Sequence, residues 1–348
     1  MIRENLFRQS TNIMLMLLLV GFSWNNAIAQ SVTKVGTSAA AFLRIPVGSK
    51  GTSMGSAFVS IADDATAMFW NPGGMARLTQ KSLYVDHSPW LPGLDFNYFA
   101  LALPFEEAGT VGLNVTALTT AEMIRTTIDQ PMGTGETFTA SSIAVGVAYA
   151  YNLTDRFSIG ANFKYINEKI LNSSATGFAI DIGTLYTTPF DGIRLGVSIS
   201  NFGNSMQIDG EDLNVRVDIA PDQRGNNQSV VGRLKTDKHD SPLMMRVGLS
   251  WEALKSKQNR LTVAVDGLNP NDNSQSVNVG AELGLFKELL VLRGGFNDLF
   301  LDDREKGFTF GGGVNLGIEG GLKFSGGYAY QDFEHLGGIS RFSIALNF

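Results

Sequence analysis

From about residue 80 to its end, the chain repeats one pattern, in which large apolar side chains alternate with small, polar or charged ones. Phe342, Ile344, Leu346 and Phe348 stand against Arg341, Ser343, Ala345 and Asn347. Val111, Leu113 and Val115 stand against Gly112, Asn114 and Thr116; Ile143, Val145, Val147, Tyr149 and Tyr151 against Ala144, Gly146, Ala148 and Ala150. The same holds for Ile193, Leu195, Val197 and Ile199 against Arg194, Gly196, Ser198 and Ser200, and for Val277, Val279, Ala281 and Leu283 against Asn278, Gly280 and Glu282. Period two means strands, and two unlike faces mean that each face meets a different environment. A soluble sandwich alternates as well, so the environment has to come from elsewhere in the chain.

The first residues supply it. Arg3 and Arg8 precede an unbroken apolar run, Ile13 to Val20, which Phe22 and Trp24 extend. Ala27-Ile28-Ala29 then offers small residues where a signal peptidase reads. This is a secretory signal peptide over residues 1–29, cleaved between Ala29 and Gln30. The run is too short for a spanning helix of about 20 residues. About 319 residues then remain (348 − 29), without a single cysteine, which excludes disulfides, thiolate metal sites and cysteine nucleophiles. The net charge of −6 speaks against a nucleic-acid partner. No later apolar run is long enough to cross a bilayer as a helix, so an exported chain of this pattern crosses as a closed β-barrel, apolar face to lipid and polar face to the lumen. Outer-membrane lipid is then its first partner.

Fourteen strand segments are predicted, beginning near Leu83, Phe96, Val111, Ser142, Phe157, Gly177, Ile193, Leu243, Leu261, Val277, Leu289, Phe308, Leu322 and Ile339. Connections after even strands are short, as at Phe105 to Gly109, Asn152 to Asp155, Thr188 to Gly192, Lys255 to Asn259, Phe286 to Glu288 and Gly317 to Gly320. Most of those after odd strands are longer, above all Thr120 to Thr137 and Asn201 to Ser241. Short periplasmic turns and long outer loops are what a bacterial barrel shows, which places the barrel in the outer membrane with both mature termini in the periplasm. Phe348, an aromatic last residue on a terminal strand, reads as the signal for the barrel-assembly machinery.

Residues 30–79, ahead of the barrel at 80–348, are dense in Gly, Ala and Ser and lack the period. Asp63 or Asp64 is placed to cap a short helix, Ala65 to Trp70, that Pro72 and Gly73-Gly74 end. Phe42, Phe58, Met68, Phe69 and Trp70 are too apolar for a disordered tail. The expectation is a plug folded inside the barrel, with Asp63 and Asp64 available to the inward arginines.

"AAAFLRIPVGSKGTSMGSAFVSIADDATAMFWNPGGMARL", Ala39 to Leu78, resembles the amino-terminal signature of the PorV/PorQ family of outer-membrane proteins. Its matching pieces are Phe42-Leu43-Arg44-Ile45, Met54-Gly55 before Ala57-Phe58, Ala62-Asp63-Asp64 and Trp70-Asn71-Pro72, and the ending "RFSIALNF" matches too. Asn71-Pro72 also resembles the Asn-Pro-Ala element of FadL-type fatty acid transporters, with Gly73 in place of Ala. The resemblance implies a FadL-like barrel of fourteen strands with an amino-terminal plug, and links to type IX secretion, whose family members bind the translocon or pass cargo to surface-attachment machinery.

Other motifs carry less. Gly51-Thr52-Ser53-Met54-Gly55 matches G-x-S-x-G, but its flanks are not the strand and helix of a nucleophile elbow, and only His87, His239 and His335 follow. It reads as a tight turn. Asn269, Asn271, Asp272 and Asn273 lack the loop glycine and bidentate acid of a calcium hand and read as a polar loop, as does Asp302 to Lys306. No cofactor is called for. Arg194, Arg246, Arg293, Lys323 and Arg341 fall on the polar faces of their strands, with Asp181, Glu252, Asp266 and Glu282. Charges inside a barrel are paired or hydrated, so these form a structural network or a filter for an ionic solute. Two functions stay open: an interaction component meeting a secretion translocon subunit, or a FadL-like transporter of a hydrophobic small molecule. An enzyme would need a nucleophile, base or metal set that the motifs do not supply.

Overall fold

The computed structural model describes residues 35–348 except 191, 224, 226–228, 302, 303 and 319. The signal peptide and its cleavage point lie outside the described residues. Fifteen strands are linked in one antiparallel sheet; setting aside the two-residue Asp209–Gly210, fourteen form a closed ring. They are β1 (Ser82–Leu91), β2 (Leu94–Phe105), β3 (Gly109–Thr120), β4 (Ala140–Thr154), β5 (Phe157–Ile170), β6 (Ser173–Thr187) and β7 (Ile193–Gly203), followed by β8 (Met244–Lys255), β9 (Arg260–Pro270), β10 (Ser276–Leu285), β11 (Leu290–Leu299), β12 (Lys306–Gly317), β13 (Lys323–Phe333) and β14 (Ile339–Asn347). Each pairs with its chain neighbours, and β1 pairs with β14 from Ser82↔Asn347 to His87↔Phe342, which leaves no open edge.

Alternation does what the sequence reading required. Leu113, Val147, Phe163 and Ile344 point outward and are about half exposed, while Asn114, Asn162 and Ser343 on the other face are buried. No aqueous solvent would tolerate a continuous apolar wall of this extent, whereas lipid does. The expected strand starts fall close to the observed ones; the largest difference is at β6, which begins at Ser173 instead of Gly177 because Ser173 and Ser174 pair with Ile170 and Lys169 despite their polarity.

Connections after even strands are short turns, as at 155–156 between β4 and β5 and 256–259 between β8 and β9. At the other end, 121–139 and 204–243 are the long connections, although 92–93 and 171–172 are also tight. The 204–243 loop carries its own ribbon, Asn214–Val217 paired with Val230–Arg233. Its base is tied down where Asp212 accepts from the Asn172 amide (2.7 Å) and the Ser173 hydroxyl (3.1 Å), and the Asn172 amide bond above all lowers the Asp212 carboxyl below its ordinary pKa.

Residues 40–77, ahead of β1, form a segment that packs against the inner face of the ring. It contains 3-10 turns at Ala41–Arg44 and Pro72–Arg77 and short helices at Ser49–Ser53 and Ala67–Trp70. The second helix is shorter than expected, and neither aspartate caps it in the anticipated way. Thr66 is its N-cap, and Asp64 instead accepts from the Thr66 amide (2.8 Å) and hydroxyl. Pro72 does not end the helical stretch for good: the chain extends at Asn71 alone, whose side chain accepts from Gly73 N, and Pro72 opens the next 3-10 turn.

The mature amino terminus expected at Gln30 lies outside the described residues; the first described residues and the end of the last strand sit at opposite ends of the ring. Phe348 exchanges backbone hydrogen bonds with Lys81 at the short-turn end (2.9 and 3.1 Å). Residues 37–44 contact the 204–243 and 271–275 loops, at the long-loop end. Period two fixes where strands go but says nothing about the direction in which an aperiodic segment runs through them.

Candidate functional site

The candidate site is the lumen and the segment that fills it. Between Gly48 and Pro72 the segment follows the wall around. Gly48 N donates to Asp86 of β1 (3.1 Å), Ser49 N to Ser343 of β14 (2.7 Å), and Gly55 N to Thr309 of β12 (2.9 Å). Phe58 N and Val59 N both donate to Asp266 of β9 (2.8 and 2.9 Å). Asn71 Nδ2 donates to the Thr184 carbonyl of β6 (2.9 Å), and Asn162 Nδ2 of β5 donates to the Met68 carbonyl (3.2 Å).

Small residues on the lumen face permit these approaches. A Cβ at Gly280 would overlap the Met54 carbonyl oxygen, one at Gly196 that of Val59, and one at Gly160 that of Pro72. Such collisions are backbone on backbone, so no rotamer relieves them. Larger side chains of the segment pack against the lumen face: Phe58, Met54, Met68, Met75 and Trp70 are fully buried. Trp70 donates its indole N–H to the Val47 carbonyl (3.1 Å) and meets Phe58 and Phe69 edge-on at 5.9 and 5.0 Å. Phe42 is buried as well.

The inward charges mostly find partners on the wall. Arg341 pairs with Asp86, Arg293 with Glu282 (2.6 Å), Arg260 with the same Glu282 (2.6 Å), Arg194 with Glu252 (2.5 Å), and Lys164 with Asp181 (2.7 Å). Arg246 donates to Ser200 Oγ (3.1 Å) and lies over the rings of Phe69 and Trp70, 5.7 Å from each centroid. Asp63 is bound by Lys50 of the segment itself (2.7 Å), and Asp64 by Thr66. The expectation that these two aspartates serve the wall arginines is therefore corrected: an acidic pair next to a helix is satisfied locally before it can reach across.

Sequence reasoning missed Asp86 and Lys164. Both lie on the inner face by the same alternation, Asp86 two residues from Tyr84 and Lys164 two from Asn162, so the signal was present. It also read Asp272 as part of a solvated loop, whereas its side chain is 4% exposed and holds Arg44 at 2.6 Å. His87 sits within β1, exposed on the outer face and paired with Asn97 (2.8 Å). Ser53 of the G-x-S-x-G stretch donates to the Ser49 carbonyl (2.6 Å). Among the described residues, no group of three or more His, Cys, Asp and Glu side chains could hold a metal.

At the short-turn end a cavity of about 490 Å³ lies between the segment and β9–β14. Lys50, Asp63, Arg260, Glu282, Glu288 and Arg293 line it, and they are joined in one chain of ion pairs. Its walls suit water and ions. An apolar solute would have to strip them of solvent.

The family model for type IX secretion system protein PorV matches residues 28–219. No curated protein matches the chain. Among solved structures, a FadL homologue of Pseudomonas aeruginosa has a TM-score of 0.51 at 12% identity, covering 87% of this chain and 98% of that one. The toluene transporter TodX of Pseudomonas putida gives 0.52 at 11% (86% and 97% covered), and the toluene transporter TbuX of Ralstonia pickettii gives 0.51 at 12% (86% and 97%). At such identities the likeness is one of fold.

Proposed function

Because the chain belongs to the PorV family of type IX secretion system proteins, we propose that this outer-membrane barrel serves that route as an interaction component, meeting a translocon subunit through its long-loop face while its lumen stays closed. The observation that carries the reading is the lumen. The inner segment is hydrogen-bonded to β1, β5, β6, β9, β12 and β14, and its backbone sits against glycines of β5, β7 and β10, so it fills the ring instead of hanging beneath it. A closed barrel acts through its surfaces. The long loops are the surface with the most chain and the most exposed apolar side chains outside the strands, among them Ile128, Met132, Ile219 and Leu234.

In this reading residues 30–79 are the plug, with Phe42, Asp63, Asp64, Trp70, Asn71 and Pro72 fixing its shape. Asp181, Arg194, Arg246, Asp266, Glu282, Arg293 and Arg341 are structural charges that hold plug and wall, and no catalytic role is assigned to any of them. The short turns and Phe348 face the periplasm, where the barrel-assembly machinery reads the last strand, and the outer wall meets lipid. The alternative, a FadL-like transporter of a hydrophobic small molecule, draws on likeness of fold alone, and the cavity at the short-turn end is charged.

Affinity capture of the tagged, full-length protein from native outer membranes tests this. A large translocon subunit should co-purify with it and be lost when residues 206–239 are replaced by a short linker, with the barrel still folded. Co-purification of a hydrophobic small molecule, with no protein partner, would overturn the proposal in favour of transport.

A further inference from the structure

The arm ahead of the inner segment is held by polar contacts to three separate elements of the long-loop end. Thr37 O contacts His239 Nδ1 (3.1 Å), and Ala39 N donates to the Asp240 carbonyl (3.0 Å), both in the 204–243 loop. Ser38 Oγ and Arg44 Nη1 donate to the two oxygens of Asp272 (2.8 and 2.6 Å), in the connection between β9 and β10. Ala40 N donates to Glu168 (3.0 Å), near the end of β5. Asp272 is closed off from solvent by this arrangement, so Arg44–Asp272 is a sheltered pair and not a rim contact.

The same chain leaves the ring at the opposite end. Asn152 Nδ2 donates to the Ala76 carbonyl (2.6 Å) and Arg77 Nη1 to the Asp155 carbonyl (2.9 Å), both at the β4–β5 turn, and Lys81 then pairs with Phe348. Between these two anchorages the segment is bonded to the lumen wall throughout. It enters at the long-loop end and exits at the short-turn end.

We infer that this segment crosses the membrane inside the barrel, so that Val35 to Ser38 stand on the cell-surface side, opposite Phe348, as part of the face offered to the secretion partner. The inference rests on the orientation proposed above only for the word "surface"; that the arm and the long loops share one face rests on the contacts themselves. Val35 and Thr37 are exposed, so their substitution leaves the fold intact. The arm also has a structural effect on that face. By binding His239 and Asp240 on one side and Asp272 on the other, it reinforces a junction that the loops also make directly, where Asn271 N donates to the Leu243 carbonyl (3.0 Å) and Asn271 Nδ2 to the Ser241 carbonyl (3.1 Å).

Because the chain has no cysteine, single cysteines report position directly. Val35→Cys and Thr37→Cys would be treated with a membrane-impermeant maleimide on intact cells, beside Val231→Cys in the long loop and Gln258→Cys in the β8–β9 turn. The expected result is that Val35→Cys and Thr37→Cys label in intact cells as strongly as Val231→Cys, while Gln258→Cys labels only after permeabilisation. Labelling of both arm cysteines together with Gln258→Cys, or under neither condition, overturns the inference. If Gln258→Cys labels in intact cells and Val231→Cys does not, the orientation is inverted; arm cysteines that then follow Val231→Cys leave the shared face standing.

Discussion

The junction of the first and last strands offers the sharpest quantitative test. Asp86 of β1 is completely enclosed and accepts from Arg341 and Ser343 (2.7 Å) of β14 and from the Gly48 amide (3.1 Å) of the plug. Arg341 is 1% exposed and rests against the Phe96 ring, 5.2 Å from its centroid. Asp86→Ala leaves that guanidinium buried without its counter-charge. Breaking a buried pair from one side costs about 3–5 kcal/mol. The Gly48 amide and the Ser343 hydroxyl lose an acceptor as well, each a loss of about 1–3 kcal/mol when buried, although these terms overlap and do not add. The expected destabilisation is thus at least about 3 kcal/mol by the buried-pair figure. The assay is reversible urea unfolding in detergent micelles, followed by tryptophan fluorescence and by heat-modifiable gel migration. The double variant Asp86→Leu with Arg341→Met is the control, because an apolar pair of similar volume removes both charges and should recover most of the loss. A cost for Asp86→Ala below about 1 kcal/mol, the range of an exposed pair, would refute the argument that this contact is a sealed, three-way clasp.

Two further outcomes are expected. Gly280→Val places a Cβ against the Met54 carbonyl, so the folded, fast-migrating form should fall sharply in cold gel electrophoresis, whereas Gly294→Ala, whose nearest neighbour is 3.9 Å away, should match the wild type; equal yields would show that the plug does not need that approach. Deleting Phe348, which Lys81 brackets by backbone pairing and by a cation 5.9 Å from the ring, should lower the level in outer-membrane fractions far more than deleting Met132 from the 121–139 loop, and unchanged levels would remove it as an assembly signal.

Much of this molecule can be read from alternation. Where both faces are strongly specified, as in β4 with Ile143 to Tyr151 against Ala144 to Ala150, a slip of one residue would turn every side chain the wrong way, so the register is unambiguous. Which charge meets which is a different kind of information. Arg293 and Glu282 are neighbours across two paired strands and could have been matched from the register, since both lie in one row of the ladder. Lys50 reaching Glu282, or Arg44 reaching Asp272, depends on the path of a segment that has no period, through a space that exists only after the ring has closed. Composition announced that the segment needed burial; it held no record of direction. Asp63 and Asp64 show the related difficulty that local partners, two and thirteen residues away, win over distant ones because less chain must be ordered to reach them.

The filled lumen changes what kind of thermodynamic object this barrel is. Its outward wall can stay in contact with lipid or detergent chains in the unfolded state, so releasing that wall need not expose apolar surface to water. Phe58, Met54, Met68 and Trp70 have no such refuge: they leave a dry interior for an aqueous one, as the core of a soluble domain does. Unfolding should therefore carry a positive heat-capacity change that originates inside the ring, and with it a temperature of maximum stability, a curvature that an empty, water-filled barrel of the same strand number would largely lack.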